Sequence, residues 1–200
     1  MSEARRSITA VILAGGRGSR MGGVDKGLLA FNGQPLVEHA IERIAPQVHQ
    51  VIINANRNLE TYRAFGAQVF PDHDTEFSGP LSGFIVGLSH CKTPYLLTIP
   101  CDTPFFPLDV ANRLLNELKT RKANIAIAAQ AGQTHPVFCL IKKELLSDLV
   151  TFMHNGGRKI GAWAEAQKTV LVNFDLPSDD PLAFSNANTF EELATLSSKD

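Results

Sequence analysis

The sequence predicts an α/β chain: a three-layer sandwich with a mostly parallel central sheet. Three observations lead there. Short apolar runs rich in β-formers alternate with segments whose apolar residues recur at helical spacing. The runs are nearly continuous rather than alternating with polar residues, the pattern of strands covered by helices on both faces. The length, 200 residues, buries one substantial core without a second one, so 1–200 reads as a single domain.

Taken in order, Ile8 to Leu13 is the first strand. Pro35 can open the helix that follows, with Leu36, Val37, Ala40, Ile41 and Ile44 on one face. Val48 to Asn54 is the next strand, and Gln68 to Phe70 a short one after it. Pro80 to His90 has helical spacing, although its glycines weaken the pattern. Tyr95 to Ile99 is a strand. Leu108 to Leu118 is a helix with Asp109 as an acid in its cap region and a stripe of Leu114, Leu115 and Leu118. Ile125 to Ala129 and Val137 to Ile141 are strands, and Glu144 to Met153 and Thr189 to Leu196 complete the helices.

Composition narrows the class of function. A formal net charge of −1 gives no electrostatic footprint for nucleic acid or an anionic membrane. No apolar run reaches the length of a membrane-spanning helix, and Met1 to Ser7 lacks the apolar centre of a secretion signal. The three cysteines, Cys91, Cys101 and Cys139, are odd in number and widely spaced, which suits a reducing compartment better than a disulfide framework. The six histidines show no paired metal spacing. A soluble cytoplasmic protein is expected.

The segment Leu13-Ala14-Gly15-Gly16-Arg17-Gly18-Ser19-Arg20-Met21-Gly22-Gly23-Val24-Asp25-Lys26 holds five glycines and four charged residues at the carboxyl end of the first strand. Glycines let a backbone approach a polyanion closely, with successive N–H groups aimed at phosphate oxygens, and two arginines and a lysine supply the countercharge. A mobile loop with solvated charges would have a similar composition. Position favours the phosphate loop, because open α/β sheets bind ligands at the carboxyl ends of their strands. Two common identities are excluded. Met21 stands where a dinucleotide-binding Gly-x-Gly-x-x-Gly needs its last glycine, and Lys26 lies between Asp25 and Gly27 rather than in the Gly-Lys-Ser/Thr of a Walker loop.

The later loops add candidates. Asn54, in Asn54-Ala55-Asn56-Arg57, is either turn chemistry or an amide that donates and accepts toward a base or ribose edge. Asp72 and Asp74 either end a turn or address ribose hydroxyls or base N–H groups. The turn Phe77-Ser78-Gly79-Pro80-Leu81-Ser82-Gly83 lets a helix approach the sheet, and Gly79 also leaves bare backbone for a nucleotide base. Asp102 follows an apolar strand between Pro100 and Pro104, which stiffen its orientation. It is either a helix cap or a ligand for Mg²⁺, an ion that needs one or two carboxylates when a nucleotide and water supply the rest. Cys101 shows no base partner and reads as packing. A lone His135 at a strand entry is more often structural. Asn186 and Asn188 form an Asn-x-Asn pair: Asn188 or Thr189 can cap the last helix, and the pair can also turn amide oxygens toward a metal or a phosphate-bound water. Asn155-Gly156-Gly157-Arg158-Lys159 is a basic, glycine-flanked segment suited to an anion.

The motifs from Leu13 to Leu28, Gly79 to Gly83, Pro100 to Phe105, His135 to Phe138 and Asn186 to Thr189 together resemble the molybdenum cofactor guanylyltransferases, a branch of the nucleotidyltransferases. The resemblance spans nearly the whole chain, with Phe190 standing where relatives often carry proline. It implies a Rossmann-type domain, the N-terminal part binding nucleotide and the C-terminal part the acceptor. It also implies Mg²⁺-dependent transfer of GMP from GTP to molybdenum-bearing molybdopterin, with pyrophosphate released. Carried over by position, Leu13, Ala14, Gly15, Lys26, Asn54 and Asp72 would contact GTP, and Asp102 would hold the metal. Gly15, Gly16 and Gly18 would wrap the triphosphate, with Arg20 and Lys26 stabilising charge on the reacting phosphates. A monomer is expected, with molybdoenzymes or their cofactor-delivery chaperones as further partners. Two rivals are a CTP- or UTP-dependent enzyme acting on a sugar or alditol phosphate, and a regulatory nucleotide binder. The Gly22 to Leu28 variant argues against the first, and the presence of both Lys26 and Asp102 against the second.

Overall fold

The computed structural model describes residues 2–15, 25–72 and 79–186. The described chain contains seven α-helices and nine strands: α1 (Ala4–Ser7), β1 (Ile8–Leu13), β2 (Ala30–Phe31), β3 (Gln34–Pro35), α2 (Leu36–Ile44), β4 (Gln50–Asn54), α3 (Leu59–Arg63), β5 (Gln68–Phe70), α4 (Pro80–His90), β6 (Tyr95–Pro100), α5 (Val110–Thr120), β7 (Ile125–Gln130), β8 (Gln133–Lys142), α6 (Leu146–His154), α7 (Ile160–Glu165) and β9 (Thr169–Asn173). Seven of the strands form one sheet in the order β5-β4-β1-β6-β8-β7-β9, while β2 and β3 pair separately. Every pairing in the large sheet is parallel except the two made by β8. Among the described residues no helix is long and apolar enough to cross a membrane.

Alternation along the strands builds the three layers, since successive side chains point to opposite faces. Ala10, Ile12, Ile53, Leu97 and Ile99 pack with Val37, Ala40 and Ile44 of α2 and Val110, Leu114 and Leu118 of α5. Val11, Ile52, Leu96, Ile127 and Cys139 pack on the other face with Phe84 and Leu88 of α4, Leu149 and Met153 of α6, and Trp163 of α7. The central strands are therefore buried on both faces, while the edge strands β5 and β9 and the start of β8 keep exposed or half-buried residues.

Several boundaries differ from the sequence expectation for visible reasons. β8 is antiparallel because it follows β7 through a two-residue turn, Ala131-Gly132, whose residues both take positive φ (49° and 74°). That is the mirror-image turn that matches the twist of a hairpin, and a turn so short cannot lead to a parallel neighbour. The strand expected from Val48 begins at Gln50, because a 3-10 turn occupies Ala45–Gln47. The helix expected from Leu108 begins at Val110, and Asp109, though at its N-cap, makes no side-chain cap. Gln47 does that job from a distance: its Oε1 accepts the Ala111 N–H at 3.1 Å. The helix expected over Thr189 to Leu196 lies outside the described residues.

Candidate active site

The parallel register sets the carboxyl ends of four strands in one row. Leu13 of β1 pairs with Asn54 of β4 and Pro100 of β6, and Asn54 pairs with Phe70 of β5. The loops leave that row already tied together: Ala14 N–H donates to Asn54 O at 2.8 Å, and Cys101 N–H donates to Leu13 O at 3.2 Å. The chain builds outward from β1 through β4 to β5 and then returns to place β6 on the other side of β1. Strand order thus reverses at β1, the switch point where open α/β sheets form a ligand crevice.

On the β4–β5 side the amides converge on one carboxylate. Asn54 Nδ2 donates to Asp72 Oδ1 at 2.9 Å and to Phe70 O at 3.2 Å. Asn56 Nδ2 donates to Asp72 Oδ2 at 2.8 Å, while its own Oδ1 accepts the Asp72 N–H at 2.8 Å. Each carboxylate oxygen keeps acceptor capacity beyond these bonds, so Asp72 is oriented rather than consumed. The amide end of Asn54 also meets backbone: a Cβ at Gly15 would sit 3.3 Å from Asn54 Oδ1 and 3.0 Å from Asn56 Nδ2. Gly79, with φ 110°, turns the chain into α4, and the first turns of α4 lie over the ends of β1 and β4.

On the β6 side Lys26 Nζ lies 3.4 Å from Asp102 Oδ2, with the lysine side chain 24% and the aspartate 16% exposed. Charge-assisted bonds normally close to about 2.7–2.9 Å, so this pair is loose and partly solvated. The loop carrying Asp102 is braced from α2 and the turn after it. Arg43 donates to the carbonyls of Phe105 and Phe106, and Gln47 Nε2 donates to Pro107 O at 3.3 Å. Thr103, fully buried, donates from Oγ1 to Asn186 Oδ1 at 2.8 Å, which brings Asn186 to the residue next to Asp102. Cys101 is buried, and burial together with the neighbouring Asp102 and Asp25 carboxylates pushes its thiol well above the ordinary range. It is a packing residue.

His135 stacks on Phe184, with ring centroids 4.7 Å apart and 18° between planes, and burial lowers its pKa. It works as an aromatic neighbour, consistent with a structural histidine. The basic segment near Arg158 lines a cavity of about 550 Å³ with Phe152, Asn155, Gly156, Gly157, Lys159 and Ala162. Arg158 donates to Met153 O at 2.8 Å and to Gly157 O at 2.7 Å, so part of its donor fork holds its own turn. Gly16, Gly18, Arg20 and Asn188 lie outside the described residues.

Four contributors escape a reading of the motifs alone: Asn56, Thr103, Arg43 and Asp25. Asn56 had the available signal, two places after Asn54 at the same strand end. The others join segments far apart in the chain and become visible only once the sheet brings these together.

A MobA-like NTP transferase domain matches residues 10–177. The chain is 54% identical to a molybdenum cofactor guanylyltransferase of Albidiferax ferrireducens, over 96% of each chain. It is 53% identical to one of Bordetella petrii, over 96% of this chain and 98% of the relative. Among solved structures, the molybdopterin-guanine dinucleotide biosynthesis protein A of Archaeoglobus fulgidus superposes with a TM-score of 0.76 at 20% identity, covering 95% of this chain and 97% of that one. The 4-diphosphocytidyl-2C-methyl-D-erythritol synthase of Anaerococcus prevotii also reaches 0.76, at 12% identity and covering 96% and 95%. These two likenesses speak to fold. The sequence relatives and the matching domain decide the family: the chain belongs to the MobA-like NTP transferases, among the molybdenum cofactor guanylyltransferases, and is an enzyme that transfers a nucleotide.

Proposed function

We propose that this enzyme transfers GMP from GTP to the terminal phosphate of molybdopterin bearing molybdenum, forming the guanine dinucleotide cofactor and pyrophosphate. The observation that carries the proposal is the approach of Lys26 to Asp102, with Asp72 and its two amides in the neighbouring loops of the same sheet edge. A cation-binding carboxylate and a phosphate-binding lysine meeting at one point suit a metal-bound triphosphate. The chemistry is an in-line displacement: an acceptor phosphate oxygen forms a bond to the α-phosphorus, and the bond to the β-phosphate oxygen breaks. The acceptor is already ionised near neutrality, so no protein nucleophile or strong base is required, and catalysis rests on position and charge.

The residues fit Mg²⁺. Asp102 offers a partly exposed carboxylate on a braced loop, and the Asn186 amide oxygen joins that loop through Thr103. These are oxygen donors, the preference of a hard cation that keeps phosphate and water among its ligands. Asp102, with Asn186 and Asn188 as further oxygen donors, would hold the ion. When bound, the ion would neutralise phosphate charge and fix the geometry of the triphosphate. Lys26, together with Arg20 and the backbone of Gly15, Gly16 and Gly18, would stabilise charge on the α-phosphate and the leaving group. Leu13, Ala14 and the bare backbone at Gly79 would flank the nucleotide, and Asn54 and Asp72 would address its ribose or base. Lys159 and Arg158 would receive an anion of the acceptor.

Base choice is tested by titrating the protein with GTP, CTP and UTP in the presence of Mg²⁺, read by calorimetry. GTP is expected to bind most tightly. Preferential binding of CTP or UTP would defeat the guanylyl assignment and favour the pyrimidine nucleotidyltransferase whose fold this chain shares. A monomeric cytoplasmic enzyme handing its product to molybdoenzymes or their cofactor-delivery chaperones completes the proposal.

A further inference from the structure

The segment on either side of Lys26 is gripped by one buried phenol. Asp25 stands at the N-cap of the 3-10 turn Lys26–Leu28 but makes no side-chain cap to it. Both its carboxylate oxygens turn instead to α3 and the residue before it: Tyr62 O–H donates to Oδ1 at 2.5 Å, and Asn58 Nδ2 donates to Oδ2 at 3.0 Å. Tyr62 is fully buried, so its hydroxyl requires a partner inside the protein, and burial together with the Asp25 bond holds it protonated. On the other side of Lys26, Gly27 is buried against that same hydroxyl, and a Cβ at Gly27 would overlap it. Asn58 adopts the left-handed conformation (φ 50°) that turns its amide toward Asp25 at the start of α3.

We infer that Tyr62, aided by Asn58, is a positioning residue for the reaction: by holding Asp25 and Gly27 it fixes the backbone of Lys26 and so aims the ammonium at the reacting phosphates beside Asp102. The lysine stem is long and flexible, and holding the backbone on both sides removes the part of that freedom that would let the charge wander from the site. Tyr62 is fully buried, with its hydroxyl on Asp25 and against Gly27, and it acts through residues 25 and 27. The inference rests on the proposed role of Lys26 in binding the reacting phosphates.

A double-mutant cycle on the full chain tests it, with GTP and molybdenum-bearing molybdopterin as substrates and pyrophosphate release as the signal. Tyr62→Phe keeps the ring and removes the hydroxyl, and its kcat is expected to fall about tenfold or more, with a smaller change in KM for GTP, because a misplaced charge is felt most in the transition state. In the Lys26→Ala background the same change is expected to cost less than about twofold, since a residue that acts through Lys26 has nothing left to aim. Asn58→Gly, which keeps the backbone conformation and removes the amide, is expected to show a milder loss and the same coupling to Lys26→Ala. It completes the cycle should Tyr62→Phe fail to fold. Losses that simply multiply in the double variants would overturn the inference while leaving Lys26 in its role, as would an unchanged kcat in Tyr62→Phe. Undiminished turnover in Lys26→Ala alone would overturn the role of the lysine itself, and with it this inference.

Discussion

Gly83 is where the packing of α4 meets the ends of β1 and β4, and Gly83→Ala probes both that packing and the proposed nucleotide contacts. Alanine in a helix interior is ordinarily favoured over glycine by about 0.8–1 kcal/mol. Here the added Cβ would lie 2.5 Å from Leu13 Cδ2 and 2.6 Å from Asn54 Oδ1, closer than Cβ contacts occur in folded proteins. Something must move, and overpacking of a close-packed interior typically costs about 1–3 kcal/mol. The Leu13 methyl can rotate at modest cost. Asn54 is less free, because its Nδ2 is engaged by Asp72 at 2.9 Å and Phe70 O at 3.2 Å. Setting the propensity gain against the packing loss leaves a net destabilisation of about 0–2 kcal/mol, a fall in Tm of up to about 8 °C for a domain of this size. Nucleotide binding should suffer more than stability, since Asn54 swings away from Asp72. Gly161→Ala in α7 is the control: beyond its chain neighbours and its own helix backbone, no described atom lies within 4 Å of the added Cβ, and a small rise in Tm is expected. The assay is thermal unfolding paired with GTP titration. A Gly83→Ala protein that melts higher and binds GTP as tightly as the parent would refute the proposed contact between α4 and Asn54.

Two other outcomes follow from buried groups. All three cysteines are free and buried, and burial pushes the thiols of Cys101 and Cys139 well up, so the native protein should react slowly with an aromatic disulfide at neutral pH and release three equivalents only on unfolding. A fast-reacting thiol in the native state would contradict the packing role of Cys101. Asp179 receives both terminal nitrogens of Arg113, at 2.7 and 3.1 Å, and that hydrogen bonding lowers its carboxyl below the ordinary value. The folded state thus favours the ionised form, so the stabilisation is complete above the ordinary carboxylate range and is lost as the pH falls through that range toward the lower folded value. Chemical denaturation as a function of pH should show a shallower acid decline for Asp179→Asn than for the parent, and matching slopes would contradict the pairing.

How much of this was legible in the sequence depends on the range of the interaction concerned. β1 and β5 match their expected bounds: β1 is a run of six β-formers and small apolar residues broken only by Thr9, and β5 is a short run whose Val69 and Phe70 are stopped by Pro71. β9 was missed: it lies at the edge of the sheet, and only Val172 of its five residues is buried, so its pattern is weak. The antiparallel turn of β8 depends on Ala131-Gly132, where alanine gives none of the usual asparagine or aspartate signal for a mirror-image turn. Within the site, Asn54, Asp72 and Asp102 are each marked by position at or just after a strand end, and Lys26 by the glycine-rich loop that follows β1. Asp25 was quoted only as a neighbour of Lys26, because its partner Tyr62 lies on α3, more than thirty residues away. The fold that places α3 beside the turn is what gives that carboxylate a task.

The convergence of Lys26 and Asp102 at the switch point is tested most directly by pyrophosphate release from GTP in the presence of molybdenum-bearing molybdopterin and Mg²⁺, comparing the intact enzyme with Asp102→Ala. The intact enzyme is expected to turn over, and the variant to lose turnover by at least about a hundredfold, the scale for removing one preorganised electrostatic element. Release that persists in Asp102→Ala at a comparable rate, or no release from the intact enzyme at saturating GTP, would contradict the assignment of this pair as the reacting centre.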